Sequence, residues 1–515
     1  MRTLLEDYTP VLIGAGQFTE QGVAPERAQS PMGIAAQAAK AALMDTGCAE
    51  NLAKQLDTIA VIRIFPDSYK NPRVPNPFGR AENPPRAVAR RIGANPERAI
   101  YGPVGGNTPQ KMINEMAQRI SDGEMEAVLI TGSEAINTAQ LARRSGIELD
   151  WAEQDAGTLE DRGLGEPLST QHEQDHGIAA PIFAYPLFEN AIRGNLGRSI
   201  DTHMLEMGKL FAPFTRVAAN NPFSFYGTIR TAQELAAVTA ENRLISFPYP
   251  KWMNARDSVN QGAAVIMTSV AKARELGVDP SKWVFLHGCG EASDKIMLTE
   301  RVNYHTSPAM KLNSEKAFEM AGKSIDEMDF IDIYSCFPSA VEVACDAYGL
   351  ATDDVRGLTV TGGLPFFGGP GNNYSMHAIA TMVPMLRAAP EKFGFVSTNG
   401  GRLTKHATGI YSATPVTGKW ARENPANYQT EIDIAISPSF TEKPFGRAQI
   451  ETYTVACDRT GPVSGILIGR LEDGTRFLAN TSSDPVFLQR FINHDQLKTT
   501  GVVESVDGKN LFNPN

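Results

Sequence analysis

SPAMKLNSEKAFEMAG (307–322), leading into MDFIDIYSCF (328–337), has a counterpart early in the chain: SPMGIAAQAAKAALMDTG (30–47), leading into LDTIAVIRIF (56–65). Each stretch opens on Ser-Pro, with Ser suited to cap a helix and Pro suited to its first position. Each passes from helical periodicity through an acidic, apolar turn into a short strand pattern. A Gly-rich turn, a second apolar helix and a strand then follow in both places. They read GGNTPQKMINEMAQRISDGEMEAVLITGSEA (105–135) and FGGPGNNYSMHAIATMVPMLRAAPEKFGFVSTNGG (367–401). Helices alternating with short apolar strands predict an α/β fold with sheets covered on both faces. Two such units predict an internal duplication, with the site between the halves.

Working outward, residues 141–254 are polar and irregular, with clustered acids (ELDWAEQDAGTLEDRGLGE, 148–166), and are too long for a simple loop. They read as an inserted loop domain, after which SVNQGAAVIMTS (258–269) resumes the first half. The predicted organisation is a first half at 1–140 and 255–283, the loop domain at 141–254, and a second half at 284–418. From 425 to 515, short alternating runs (QIETYTVA, GILIGRLEDG, TRFLAN) predict a small β domain of barrel type.

The chain has 515 residues, 42 % hydrophobic and 21 % charged, which suits a soluble globular protein of several domains. A formal charge of -10 gives no broad basic surface, so nucleic acid is not an expected partner and an anionic ligand must be met locally. No apolar run reaches the length of a membrane span, and the start, MRTLLEDYTPVLIG, is unlike a signal peptide. Cys48, Cys289, Cys336, Cys345 and Cys457 show neither paired nor metal-type spacing, as expected of reduced thiols in a cytoplasmic protein.

AFEMAGKSIDEMDFIDIYSCF (317–337), GGLPFFGGPGN (362–372), SVNQGAAVIM (258–267) and the Gly105-Gly106 turn, in this order of motifs, resemble the thiolase superfamily over about positions 8–415. The ending Tyr334-Ser335-Cys336-Phe337 is most similar to the His-Asp-Cys-Phe box of the sterol-carrier-protein thiolases. The appended β domain resembles that of the type 1 thiolase-like group. The resemblance implies a duplicated, five-layer αβαβα thiolase fold with an inserted loop domain and an OB-like barrel. It also implies coenzyme A or an acyl-CoA as ligand, held largely by the loop domain, with no separate cofactor.

Set against the family's motifs, the chain departs from them where the chemistry lies. The nucleophile motif Cys-Gly-Ser-Gly corresponds to Gly105-Gly106-Asn107-Thr108, and Gly-His-Pro to Gly368-Gly369-Pro370. The Cys-x-Gly loop corresponds to the stretch Ser397-Thr398-Asn399-Gly400-Gly401. A helix start still suits an anion or oxyanion, so Gly105, Gly106, Asn107, Gly369, Gly400 and Gly401 are candidate substrate-binding positions. Asn372 and Asn373 join them as amide donors to an acyl oxygen, or else serve the turn itself.

For acid, base or nucleophile chemistry the candidates are Cys336, His406, Tyr334, Asn399 and His377, with core packing as the alternative for Cys336 and a structural role for His377. His172 and His176 have metal-type i, i+4 spacing but no evident third ligand, so no metal site is expected. Two functions stay open: an acyltransferase, acetyl-CoA acetyltransferase-like or thioesterase-like, with non-standard residues, and an acyl-CoA-binding module without catalysis. Oligomeric state, monomer or homodimer, is not fixed by the sequence.

Overall fold

The computed structural model describes residues 6–69 and 78–515. The first half runs β1 (Pro10–Thr19), α1 (Pro31–Thr46), β2 (Thr58–Val61), β3 (Arg98–Tyr101), α2 (Thr108–Ser121) and β4 (Ala127–Ala135). After the insert, which carries α3 (Pro181–Asn195) and α4 (Ile200–Asn220), it is completed by β5 (Asn260–Ser269). The second half runs β6 (Val284–Ser293), α5 (Pro308–Ala321), β7 (Phe330–Ile333), α6 (Pro338–Tyr348), α7 (Tyr374–Ala388), β8 (Phe393–Gly400) and β9 (Lys405–Ser412).

These strands form one sheet in the order β7-β8-β9-β6-β1-β5-β4-β2-β3, extended beyond β3 by Glu160–Asp161. The halves join where β1 meets β6 antiparallel at Val11↔Phe285 and Leu12↔Val284. The duplication is visible in detail. Ser30 caps α1 through Gly33 N and Ser307 caps α5 through Met310 N, each at 3.1 Å, and each helix ends on a left-handed glycine, Gly47 or Gly322. On β1, a Cβ at Gly14 or Gly16 would fall on backbone of α1; on β6, a Cβ at Gly288 or Gly290 would fall on backbone of α5. The two outer helices press on their strands at the same closeness because both strands carry Gly-x-Gly there. Helices α2 and α7 lie between the halves and touch strands of both.

The insert is more regular than its sequence predicts. Pro186 lies inside α3 and Pro213 inside α4. An interior proline removes a helix hydrogen bond and normally reads as a break. Burial of Tyr185, Phe188, Phe211 and Phe214 supplies the packing that keeps both segments helical.

Strands β10 (Gly446–Cys457), β11 (Pro462–Leu471), β12 (Arg476–Asn480), β13 (Thr500–Val506) and β14 (Lys509–Pro514) close a five-stranded barrel in the order β11-β12-β14-β13-β10, with β10 pairing back to β11. Helix α8 (Pro485–Asn493) bridges β12 to β13. This connectivity, including the parallel β12–β14 contact, is OB-like. The stretch Pro425–Asp433, which precedes the barrel strands, is a helix against β6, where Tyr428 Oη accepts from Glu291 N at 3.0 Å.

The barrel is fastened to the insert. Asn190 Nδ2 donates to Tyr453 O (2.8 Å), Thr452 Oγ1 donates to Leu187 O (2.5 Å), and Arg193 pairs with Asp495 (2.6 Å). His176 belongs to this contact: its Nε2 accepts from Asn510 N at 3.0 Å and its Nδ1 lies 2.9 Å from His172 O. His176 is therefore a buried docking histidine.

Candidate functional site

The turn before α2 is built from residues without bulk. Gly105 has φ 152°, a backbone conformation that favours glycine, and its N–H donates to Asn372 Oδ1 at 3.0 Å. A Cβ on Gly106 would fall on the Tyr334 hydroxyl and the Asn399 carbonyl oxygen, and one on Gly400 would fall on Asn107 Oδ1. Ser375 Oγ, in the first turn of α7, donates to Gly106 O at 2.5 Å. The first half's turn, the 334–337 segment and the end of β8 thus converge.

Around that point the side chains are polar but protonated. Tyr334 is buried edge-on to Tyr374 with ring centroids 5.4 Å apart; burial, then the neighbouring Cys336, push its hydroxyl well above the usual phenol range. Burial pushes the Cys336 thiol up to about 12, although Tyr185 hydrogen-bonds to it. Asn399 Nδ2 donates to Tyr185 Oη at 2.8 Å and lies 4.0 Å from Cys336 Sγ. Tyr185 Oη also accepts from Leu403 N at 3.2 Å, and its ring stacks on Phe337 at 4.4 Å. The Oδ1 atoms of Asn107 and Asn399 are buried without a hydrogen-bond partner, a costly state that a donor on a ligand would relieve.

The remaining sequence candidates have other partners. His406 pairs across the β8–β9 ladder with Asn399 but turns to Asp294 Oδ2 (3.4 Å) and Ser307 Oγ (3.5 Å). His377 Nδ1 lies 2.8 Å from Gln17 Oε1, and burial lowers its imidazole to about 3. Gly401 takes a left-handed φ of 72° beyond β8, and Gly369 N donates to Arg256 O at 2.8 Å. Of the two roles given to the asparagines above, their amides take the one within the protein. Asn372 Nδ2 is committed to Arg63 O (2.8 Å) and Ser68 Oγ (3.0 Å), and Asn373 Nδ2 to Gly132 O (2.7 Å), so both amides brace backbone.

Beside the 334–337 segment, where Ala255 N donates to Cys336 O at 2.9 Å, the next residue lines a shallow depression with Tyr226, Arg230, Trp252 and Phe366. The Arg256 guanidinium lies 3.2 Å from the centroid of the Tyr226 ring, and that of Arg230 lies 3.3 Å from the Trp252 ring. Neither arginine has a carboxylate within ion-pair distance among the described residues. Burial lowers both guanidinium pKa values from their ordinary value, with Tyr226 opposing this at Arg256 and Glu234 at Arg230.

Residues 427–509 match the family model of the thiolase-like protein type 1 additional C-terminal domain. The crystal structure of a monomeric SCP2-thiolase like protein type 1 from Mycobacterium smegmatis is 40% identical, with 99% of this chain and 100% of that chain covered and a TM-score of 0.85. This chain belongs to the SCP2-thiolase-like protein type 1 family. The acetyl-CoA acetyltransferase of Syntrophomonas wolfei (14% identity, 79% of this chain and 100% of that one, TM-score 0.55) shares the fold. So does human mitochondrial 3-ketoacyl-CoA thiolase (17%, 79% and 100%, TM-score 0.54). No curated protein sequence matches the chain.

In this type 1 thiolase-like protein, sequence reasoning missed Tyr185, Ser375, Arg230 and Arg256. The arginines carried a signal: aromatic residues recur beside them, at Phe225-Tyr226 and Trp252, in a chain of net negative charge. Tyr185 carried none, since only the folded insert brings it to Cys336 and Asn399.

Proposed function

We propose that this protein binds a coenzyme A thioester at the junction of its two halves and holds it without forming an acyl-enzyme. The observation that carries this reading is the arginine pair. Two guanidinium groups, held on aromatic faces and unmatched by carboxylates, fit the phosphates of such a ligand in a chain whose overall charge would repel them. The acyl end would reach the Gly105–Asn107 turn, with the Tyr334 hydroxyl as donor to the thioester oxygen. A Cys336 thiol raised to about 12 is ionised to about one part in 10⁵ at pH 7, which supports binding over acyl transfer or thioester hydrolysis.

Among the described residues no helix is long and apolar enough to cross a membrane, and all five cysteines are unpaired. Both facts fit the expected cytoplasmic setting, and a monomeric state is proposed by likeness to the M. smegmatis protein. Calorimetry with CoA and acetyl-CoA tests the reading. A Kd between about 1 μM and 1 mM is expected, weakened at least about tenfold by Arg230→Gln with Arg256→Gln. No heat at millimolar ligand with the unaltered protein removes the ligand. Thiolysis of acetoacetyl-CoA at about 1 per second would instead restore the acyl-enzyme.

A further inference from the structure

Three helices of different origin bring acid and imidazole together in the interior. Glu189 on α3, His203 on α4 and Glu342 on α6 are buried, and one donor atom of each lies within 4.8 Å of the others. His203 Nε2 is 2.6 Å from Glu189 Oε1, and Tyr249 Oη donates to Glu189 Oε2 at 2.6 Å while lying 2.7 Å from Ser339 Oγ. Glu189 is thus satisfied. Glu342 is matched less fully: it lies within hydrogen-bond reach of Glu189, Arg198 approaches only to 3.8 Å, and its Oε2 has no partner. His203 Nδ1 has none either.

Removing two carboxyl groups and an imidazole from water together is costly unless something compensates the charge. We propose that Glu189, His203 and Glu342 hold a divalent cation of the zinc class, which staples the inserted domain to the second half. The donor set, two carboxylate oxygens and one imidazole nitrogen, is one such ions accept. Tyr249, bonded to Glu189 and next to Ser339, orients a ligand in the way supporting residues do around metals. A bound dication would compensate the charge of two buried carboxylates beside a neutral imidazole. Ligand atoms about 2.1 Å from a tetrahedral ion lie about 3.4 Å apart, so His203 and Glu189, 2.6 Å apart, need to part by about 0.8 Å. The site is independent of the CoA reading.

The test uses the full chain, stripped with chelator and titrated with zinc chloride. One equivalent should bind, the melting midpoint should rise by about 3 °C at a hundredfold excess over Kd, and cobalt should give visible d–d bands. Glu342→Gln and His203→Gln should lower zinc affinity about 100-fold. Zinc-edge absorption on the unaltered protein should show a nitrogen and oxygen shell, a readout that survives misfolding of either variant. Uptake well under one equivalent, a shell containing sulfur, or equal uptake by folded Glu342→Gln overturns the proposal.

Discussion

The turns that open the two central helices occupy corresponding places in the duplicated halves, yet they have divided the work. At Gly105–Asn107 side chains are nearly absent, and backbone faces Tyr334 and the end of β8. At Gly371–Asn373 two amides reach out and hold other segments: the backbone of Gly105 and Arg63 and the Ser68 hydroxyl through Asn372, the backbone of Gly132 through Asn373. One turn presents a surface and the other braces it. Symmetry of fold therefore does not carry symmetry of role.

The comparison breaks most severely at Gly106. A methyl group there meets the Asn399 carbonyl oxygen, which is backbone and cannot rotate away, so Gly106→Ala should cost at least about 3 kcal/mol in urea unfolding. A variant of unchanged stability would show that the turn is looser than described. The bracing side should be next. Asn372→Ala leaves the Gly105 N–H and the Arg63 carbonyl without this partner and should cost about 2 kcal/mol, against about 1 kcal/mol for Asn373→Ala. The reverse ranking would mean that Asn372 does not hold the presenting turn.

A pH series sharpens the same contrast through α7. His377 is buried neutral, with its pKa lowered to about 3, while the unfolded chain protonates near 6.5. Between those values the unfolded state binds more protons, so stability is full above pH 6.5 and falls on acidification. The loss from this group is up to about 1.4 kcal/mol per pH unit, and His377→Gln should flatten the urea midpoint between pH 6.5 and 5 by that amount. An unchanged slope would place the effect elsewhere. The smallest effect is chemical. Iodoacetamide should label half-buried Cys48 in the native protein and leave Cys336 untouched; rapid labelling of Cys336, blocked by CoA, would return a thiolate to the site.

The fold was legible where local pattern and packing agree. Ser-Pro starts, Gly47 and Gly322 stops, and the fully buried β4 and β5 all follow from short-range periodicity. Legibility failed where tertiary burial overruled a local signal, as at Pro186 and Pro213. The site was legible as loops but not as partnerships. Gly106, Tyr334, Cys336 and Asn399 do converge, whereas His406 turned to Asp294 because the pairing of β8 with β9 fixes which neighbours its side chain meets. Glu189 and Glu342 had left a trace, each an acid set among apolar residues of a helix, PIFAYPLFENAIRGN and PSAVEVACDAY.

The fastening of the barrel to the insert also bears on the order in which the protein can be completed during synthesis. Ser246 pairs with Ala456, Asn190 with Tyr453 and Arg193 with Asp495, so helices made early rest on strands made last. At about 5–20 residues per second, the ribosome delivers those strands many seconds after α3 and α4 have emerged. In that interval Leu187 O and the docking face of α3 have no final partner. The carboxy-terminal barrel thereby acts as the last step of assembly for a region that begins some 250 residues before it, and truncation before β10 would leave that region unfinished rather than merely shorter.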